Sequence, residues 1–320
     1  MRSVTRVMQS LGFVALLGTA APVVHAHHGP EEMIAMLTQR MEADGATPVL
    51  LYKRATEWRT LGELDKAVED LQKAIELSSK FVDGIELLAE VYLAQGALEK
   101  AQETARAGLL IGQSGQECAA FQMVMARALE KHGKLEDALD TCNAAFHSYP
   151  RGNVDWYLIR GTLQQQLGRH AERVADFQRG YQDTGSTVLR NLKVDAMIDA
   201  GRADEVLPMI DQQVEACRLK SSWLLRRARA RFALGNKAQA AEDLEMAIAE
   251  LDQRIHPIHP DVTLVVDRGL ARALLGNVLG AREDLERAQG LGVSPSMLHL
   301  LLEALAPEDV DRKPVPGNRS

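Results

Sequence analysis

A turn centred on glycine recurs seven times along this chain of 320 residues, and it limits the folds that the chain can adopt. The glycines are Gly62, Gly96, Gly133, Gly168, Gly201, Gly235 and Gly276, spaced 33 to 41 residues apart. A near-constant spacing of this length is typical of solenoids, in which each repeat is one supersecondary unit that packs against its neighbours. The sequence therefore predicts an array of repeats.

Each repeat is predicted to hold two helices, one on either side of the glycine. Apolar residues recur three or four positions apart, as in Leu64, Val68 and Leu71. Glycine suits the left-handed backbone that ends a helix tightly. Aromatic residues make up only 4% of the chain, and Ala and Leu supply most of its apolar content. That composition favours helices over strands.

Small residues recur at three positions of the repeat: seven before the glycine, five after it and twelve after it. In the first repeat they are Ala55, Ala67 and Ala74. Small side chains at these places let helices approach closely. The fifth repeat departs from the pattern, because Val194 and Val206 replace the small residues. We expect looser packing there.

The period, the helical phase and the three small-residue positions resemble the tetratricopeptide repeat family over roughly residues 47–295. The resemblance implies an all-α fold, a right-handed superhelical solenoid of about seven helix-turn-helix repeats. It also implies a concave groove that binds a protein or an extended peptide.

The segments outside the repeats have their own signals. Residues 1–26 combine a basic start, an apolar run and small residues before a cleavage site, the pattern of a secretory signal peptide. We expect a periplasmic or secreted protein without stable membrane insertion after cleavage. Residues 27–46 and 296–305 are each expected to contain a capping helix, because terminal repeats need cover. Residues 306–320 are expected to form a disordered tail.

An Arg eight residues before the glycine occurs together with an Asp eight residues after it. Four repeats contain both, and repeats two and three lack both. Positions equally far from the turn face each other in a helical hairpin, so the sequence predicts structural Arg–carboxylate pairs. The pairs are Arg54–Asp70, Arg160–Asp176, Arg227–Asp243 and Arg268–Asp284.

Motifs for catalysis are missing from the sequence. It contains no phosphate-binding loop, no G-x-G-x-x-G, no H-E-x-x-H and no G-x-S-x-G. We therefore expect a non-catalytic scaffold that needs no cofactor. The net charge of −7 gives no reason to expect nucleic acid as a partner.

The resemblance places the partner-binding groove on the inward face of the first helix of each repeat. By helical phase, the candidates are Glu86, Glu90, Arg127, Asn191, Asp195, Leu225, Arg226, Arg229 and Phe232. The signs of these charges alternate between neighbouring repeats. Salt bridges between repeats are therefore the alternative interpretation. The Lys and Asn set with which some tetratricopeptide domains clamp a peptide carboxylate does not recur here.

Two other functions stay open at the level of sequence. His27 and His28 would begin the mature chain and offer nitrogen ligands that suit Cu(II), Ni(II) or Zn(II), so the protein could be a metal-handling accessory protein. It could also be an assembly factor for an envelope complex. Cys118, Cys142 and Cys217 form no CxxC motif. A Cys118–Cys142 disulfide and three small buried thiols are both compatible with their spacing.

Overall fold

The computed structural model describes residues 29–293 and 295–306, and these form sixteen α-helices and no strand. The helices are α1 (Pro30–Asp44), α2 (Pro48–Thr60), α3 (Leu64–Leu77), α4 (Val82–Ala94), α5 (Leu98–Ile111), α6 (Gly115–Lys131), α7 (Leu135–Ser148), α8 (Val154–Gln166), α9 (His170–Thr184), α10 (Thr187–Asp199), α11 (Ala203–Ala216), α12 (Ser221–Ala233), α13 (Lys237–Arg254), α14 (Val262–Leu274), α15 (Val278–Gly290) and α16 (Pro295–Leu305). The predicted all-α repeat solenoid is confirmed.

Helices α2 to α15 form seven hairpins, and each hairpin packs against the next one along the chain. The apolar core is accordingly a series of clusters, of which one runs from α6 to α13. The predicted signal peptide and nearly all of the predicted tail lie outside the described residues, as do His27 and His28.

The seven turn glycines adopt the conformation that the repeat pattern predicts. Their φ angles lie between 69° at Gly168 and 82° at Gly235. In the first turn the amide of Gly62 donates to the carbonyl of Arg59, and the amide of Glu63 donates to that of Trp58. These bonds satisfy carbonyls that the helix end leaves free, and glycine allows the positive φ.

Small residues in the helices make room for aromatic rings from neighbouring helices. A methyl group added at Gly161 would collide with the ring of Phe177, and one added at Gly108 would collide with that of Phe121. Both rings are almost completely buried. The small-residue positions therefore set the distance between helices.

The fifth repeat differs as its sequence suggests. Val194 and Val206 are buried in the core, and α10 approaches α11 less closely than the helices of the other hairpins approach each other. The branched side chains fill the space that close helix packing would occupy. The array nevertheless continues through this repeat, because α9 packs closely against α10.

The two ends of the array are covered by helices. α1 buries Ile34 and Leu37 and packs against α2, while α16 buries Leu298 and Leu301 and packs against α14 and α15. A loop of residues 255–261, rich in proline, separates α13 from α14. Among the described helices, none is both long and apolar enough to span a bilayer.

Candidate partner-binding surface

Arg–Asp pairs join the two helices of four hairpins. Arg54 donates to both carboxylate oxygens of Asp70 at 2.7 and 2.6 Å, and Arg160 bonds both oxygens of Asp176. The same bidentate geometry joins Arg227 to Asp243 and Arg268 to Asp284. All four carboxylates are buried. The pairs therefore form part of the frame that holds the inner surface in place.

Three of these arginines also reach back to the preceding structural unit, a link that our sequence analysis missed. Arg227 donates to Asp211 of α11 at 3.1 Å, and Arg268 donates to Asp252 of α13 at 2.7 Å. Arg54 donates to Thr38 of α1 at 2.9 Å. In all three cases the acceptor lies sixteen residues before the arginine, a constant offset that the sequence does contain.

Two repeats add a second arginine to the pair. Arg231 donates to Asp243 at 2.7 Å, and Arg272 donates to Asp284 at 2.9 Å. Hydrogen bonding to Asp243 raises the pKa of Arg227, which keeps its guanidinium charged. In a hairpin without the second arginine, burial raises the pKa of the Asp176 carboxyl more than its bond to Arg160 lowers it.

A cavity of about 450 Å³ lies on the inner face of α4, α6 and α8. Five carboxylates line it, and we call it the acidic cavity: Asp83, Glu86, Glu90, Glu117 and Asp155. Its apolar lining includes Met123 and Ile159, and Trp156 lies at one side. Three residues that the sequence proposed for the groove, Glu86, Glu90 and Arg127, therefore come together on one concave surface.

The carboxylates of the acidic cavity differ in their surroundings. Glu90 pairs with Arg59 at 2.5 Å. Glu117 accepts hydrogen bonds from the amides of Gln113 and Ser114, which lower its pKa. Glu86 has no such partner among the described residues. Burial, and then the charges of Glu90, Asp83 and Glu117, raise its pKa to about 7.

The cavity therefore has unmet demand for positive charge. Arg127 is the basic residue in its lining, and it makes no hydrogen bond or ion pair within the described part of the chain. One cation beside five carboxylates leaves the surface acidic. A cationic group entering the cavity would be attracted by this field and would lower the pKa of Glu86.

Arg226 and Arg229 point toward the inner face but are already engaged, in the way that the alternative interpretation predicts. Arg229 donates to Asp195 at 2.7 Å and to Asp199 at 2.8 Å. Arg226 donates to Asp195 at 2.9 Å. These bonds link α12 to α10 in the preceding repeat. With Arg173 of α9, which donates to Asp199 at 2.9 Å, the five residues form what we call the arginine network.

The other proposed groove residues are dispersed. Phe232 and Arg229 border an apolar cavity of about 380 Å³ between α10, α12, α14 and α16. Leu225 lies in the core between α12 and α14 and does not border any of the cavities described here. Asn191 has a buried side-chain oxygen without a partner in the described structure. Helical phase thus placed Leu225 too far inward, because α14 covers it.

Histidines and cysteines give little support for metal or redox chemistry in the described residues. His256 and His259 stack in the proline-rich loop with ring centres 5.9 Å apart. Across residues 29–293 and 295–306, no group of three His, Cys, Asp or Glu side chains could hold a metal ion. All three cysteines are unbridged, and burial raises the pKa of Cys142 to about 12.

Comparison with known proteins supports a tetratricopeptide assignment. A family model described as a tetratricopeptide repeat matches residues 60–127. Tetratricopeptide repeat protein 21A of Mus musculus is 32% identical over 91 residues, which is 28% of this chain and 7% of the mouse protein. The chain thus spans a small part of that relative.

Solved structures share the fold. A tetratricopeptide repeat protein from Parabacteroides merdae ATCC 43184 matches 81% of this chain and 98% of its own length, with a TM-score of 0.56 and 20% identity. A thermophilic protein of this kind from Thermus thermophilus matches 58% of this chain and 99% of its own length, with a TM-score of 0.42 and 19% identity. At these identities the first likeness concerns the fold alone. The class defined here is an all-α repeat solenoid of tetratricopeptide type.

Proposed function

We propose that this chain is an exported, non-catalytic tetratricopeptide scaffold that binds an extended segment of a partner protein on the inner face of α4, α6 and α8. The observation that supports it best is the acidic cavity, where side chains from three consecutive first helices meet. A solenoid presents such a surface rigidly, because every helix that contributes to it is held by its hairpin partner.

The chemistry of the cavity favours a segment with Lys or Arg beside an apolar side chain. The cation would meet Glu86 and its acidic neighbours, while Met123 and Ile159 offer apolar contact. Removing one partner of a desolvated charge contact typically costs ~2–5 kcal/mol. The arginine network does not serve as the anchor in this proposal, because its groups are paired with one another.

Binding can be tested with a displayed library of linear peptides of about twelve residues, roughly the length that an extended segment needs to cross three helices. Wild-type protein should enrich sequences with several basic residues. The variant Glu86→Gln with Glu90→Gln should lose this enrichment and bind the selected peptides at least roughly tenfold more weakly. Both substitutions keep the shape of the side chain and remove its charge.

A matched control removes the same charge elsewhere. Glu76 of α3 and Glu103 of α5 lie on second helices, outside the acidic cavity. Glu76→Gln with Glu103→Gln should bind the peptides as wild type does. Equal affinity in the two double variants would reject the acidic cavity as the binding surface.

Export belongs to the same proposal and rests on the sequence pattern of residues 1–26. A periplasmic or secreted scaffold would meet partners outside the cytoplasm. Unbridged cysteines are compatible with this location when thiols are buried, since Cys142 has a raised pKa and little thiolate.

A further inference from the structure

Another cavity, of about 350 Å³, lies between α8, α9, α10 and α16. We call it the α16 cavity, because Met297, His299 and Leu300 of that helix form one of its sides. Phe177 and Leu192 are among the apolar residues that line it from the repeats. Its size and its apolar walls are those of small-molecule sites, which typically hold a few polar groups in an apolar lining.

Arg173 is the unusual polar group of this cavity. It occupies a position that holds alanine in most other repeats, and it is only 6% exposed. Its Nη1 donates to Asp199 at 2.9 Å, but its Nε is buried and has no acceptor in the described structure. A buried donor without an acceptor is costly, and a ligand that supplies an acceptor removes that cost.

The carboxylates beside Arg173 cannot easily supply this acceptor. The two oxygens of Asp195 accept from Arg229 and Arg226, and those of Asp199 accept from Arg229 and Arg173 itself. All four oxygens are therefore engaged, and the Nε of Arg173 needs an acceptor from elsewhere.

Two other polar groups of the lining are also engaged. The hydroxyl of Thr162 donates to the carbonyl of Leu158 at 2.9 Å, and the Nε2 of His299 lies 3.8 Å from a carboxylate oxygen of Glu303. The side-chain amide of Gln165 borders the cavity without a hydrogen bond to another described residue. The donors left for a ligand are therefore Arg173 and Gln165.

The charges point to an anion. The arginine network contains three guanidinium groups and two carboxylates joined by hydrogen bonds. Asp267 of α14 interacts electrostatically with Arg226, at the part of the network away from the cavity. Because Arg173 shares the carboxylate of Asp199 with Arg229, its positive charge is only partly balanced at the cavity.

We propose that the α16 cavity binds a small organic acid, with its carboxylate on Arg173 and Gln165 and its apolar body against Phe177, Leu192 and Leu300. The guanidinium offers Nε and Nη2 side by side, which is the fork that fits a carboxylate. The site is separate from the acidic cavity and shares no residue with it.

The probe is 3-phenylpropionate, compared with its neutral amide, 3-phenylpropionamide, by isothermal titration calorimetry on the whole chain. The acid should bind at one saturable site and at least roughly tenfold more tightly than the amide. Arg173→Gln should reduce the affinity for the acid to that for the amide. Equal binding of acid and amide, or no saturable binding of the acid at millimolar concentration, would overturn the proposal.

Two further variants separate binding from folding. Arg179→Gln removes a charge from the same helix at a half-exposed position and should leave binding unchanged. Met297→Trp narrows the cavity from α16 and leaves the Arg173–Asp199 pair intact, so it should abolish binding of both probes while the melting temperature stays near that of wild type. Full binding by a folded Met297→Trp variant would place the acid elsewhere and contradict the assignment.

A last comparison tests the source of the carboxylate. N-acetyl-leucyl-phenylalanine carries the same group at the end of a peptide and is larger than 3-phenylpropionate. We expect the free acid to bind more tightly. Tighter binding of the peptide acid would show that the cavity binds a polypeptide terminus, and the assignment of a small acid would be wrong.

Discussion

Buried carboxylates that serve two arginines are a recurrent feature at the scale of single residues. Asp243 is fully buried, and it accepts hydrogen bonds from Arg227 and Arg231 of α12. Neither arginine has another carboxylate of similar burial among the described residues. The carboxylate therefore neutralises two guanidinium groups at once, and its loss would leave both without their main partner.

We expect Asp243→Ala to lower the free energy of unfolding by about 3–5 kcal/mol, because it leaves buried charge unpaired. In a background with Arg227→Met and Arg231→Met, the same change should cost much less. The difference between the two costs is a coupling energy, which urea denaturation of the four proteins measures. Equal costs in both backgrounds would contradict the pairing.

Glu86 gives a prediction about pH. Its pKa is raised to about 7 in the folded protein, while in the unfolded chain it is near its ordinary value of 4.5. Between these two pH values the folded state holds the proton and the unfolded state does not, so this residue lowers stability as the pH rises. The loss is absent below about 4.5 and complete above about 7.

Glu86→Gln should therefore raise the melting temperature at pH values above this range and change it little at acidic pH near the ordinary pKa of glutamate. Thermal denaturation followed by circular dichroism at several pH values measures this difference. Glu103→Gln, on a second helix outside the acidic cavity, is the control. An identical shift at both ends of the range would show that Glu86 titrates normally.

The network around Arg229 shows what sequence can and cannot predict for the site. Helical phase predicts the direction of Arg229, Asp195 and Glu86 around their helix axes, and charge alternation between repeats suggests that some of these groups pair. It did not predict that Arg229 would bond both Asp195 and Asp199, since these contacts depend on the offset between repeats. Charge reversal at Arg229 would therefore damage the fold before it reported on binding.

At the scale of helices, the hairpin pattern was predictable almost completely. The glycine spacing predicted the turns, and paired Arg and Asp positions at equal distance from the glycine predicted which side chains would face each other. The α16 cavity was not predictable, because it depends on where a capping helix lies relative to α8 and α10. No periodic signal in the sequence carries that information.

Gly161 provides the test at this scale. Gly161→Ala places a methyl group against the ring of Phe177, and we expect a loss of about 1–3 kcal/mol from overpacking. Phe177→Leu in the same chain should recover part of that loss. Chemical denaturation of the single and double variants measures both effects.

Gly290 is the matched control, because a methyl group added there has no neighbour within 4 Å and its backbone does not adopt a positive φ. Gly290→Ala at the end of α15 should be neutral or slightly stabilising, since alanine favours the helix by about 0.5–1 kcal/mol in helix interiors. Similar destabilisation at both glycines would mean that close packing is not the reason for Gly161.

At the scale of the whole molecule, arginines connect one structural unit to the next. Arg54 links α2 to α1 as well as to α3, and Arg227 and Arg268 link their hairpins to α11 and α13. Such links make the array stiffer than helix packing alone, and they hold the inner surface in register from one repeat to the next. A rigid surface loses little entropy when a flexible segment binds to it.

The N-terminal histidines give a prediction for the mature protein. If processing leaves His27 first, the free amino group and the imidazoles of His27 and His28 offer adjacent nitrogen ligands. A metal-handling role requires copper or nickel binding much tighter than that of one exposed imidazole. Calorimetric titration of the mature chain, with a variant lacking both histidines as the control, tests this alternative, and weak binding by the mature chain would remove it.

Export is the final prediction, and it rests on residues 1–26. The apolar run should enter the translocon and be cleaved after Ala26, so a tagged chain expressed in a Gram-negative bacterium should be recovered outside the cytoplasm. Mass spectrometry of its N-terminal peptide should show His27 first. Leu16→Arg with Leu17→Arg puts two charges into the run and should keep the uncleaved chain inside. Recovery of wild type as a cytosolic chain that still carries residues 1–26 would contradict export and restrict the partners of the acidic cavity to the cytoplasm.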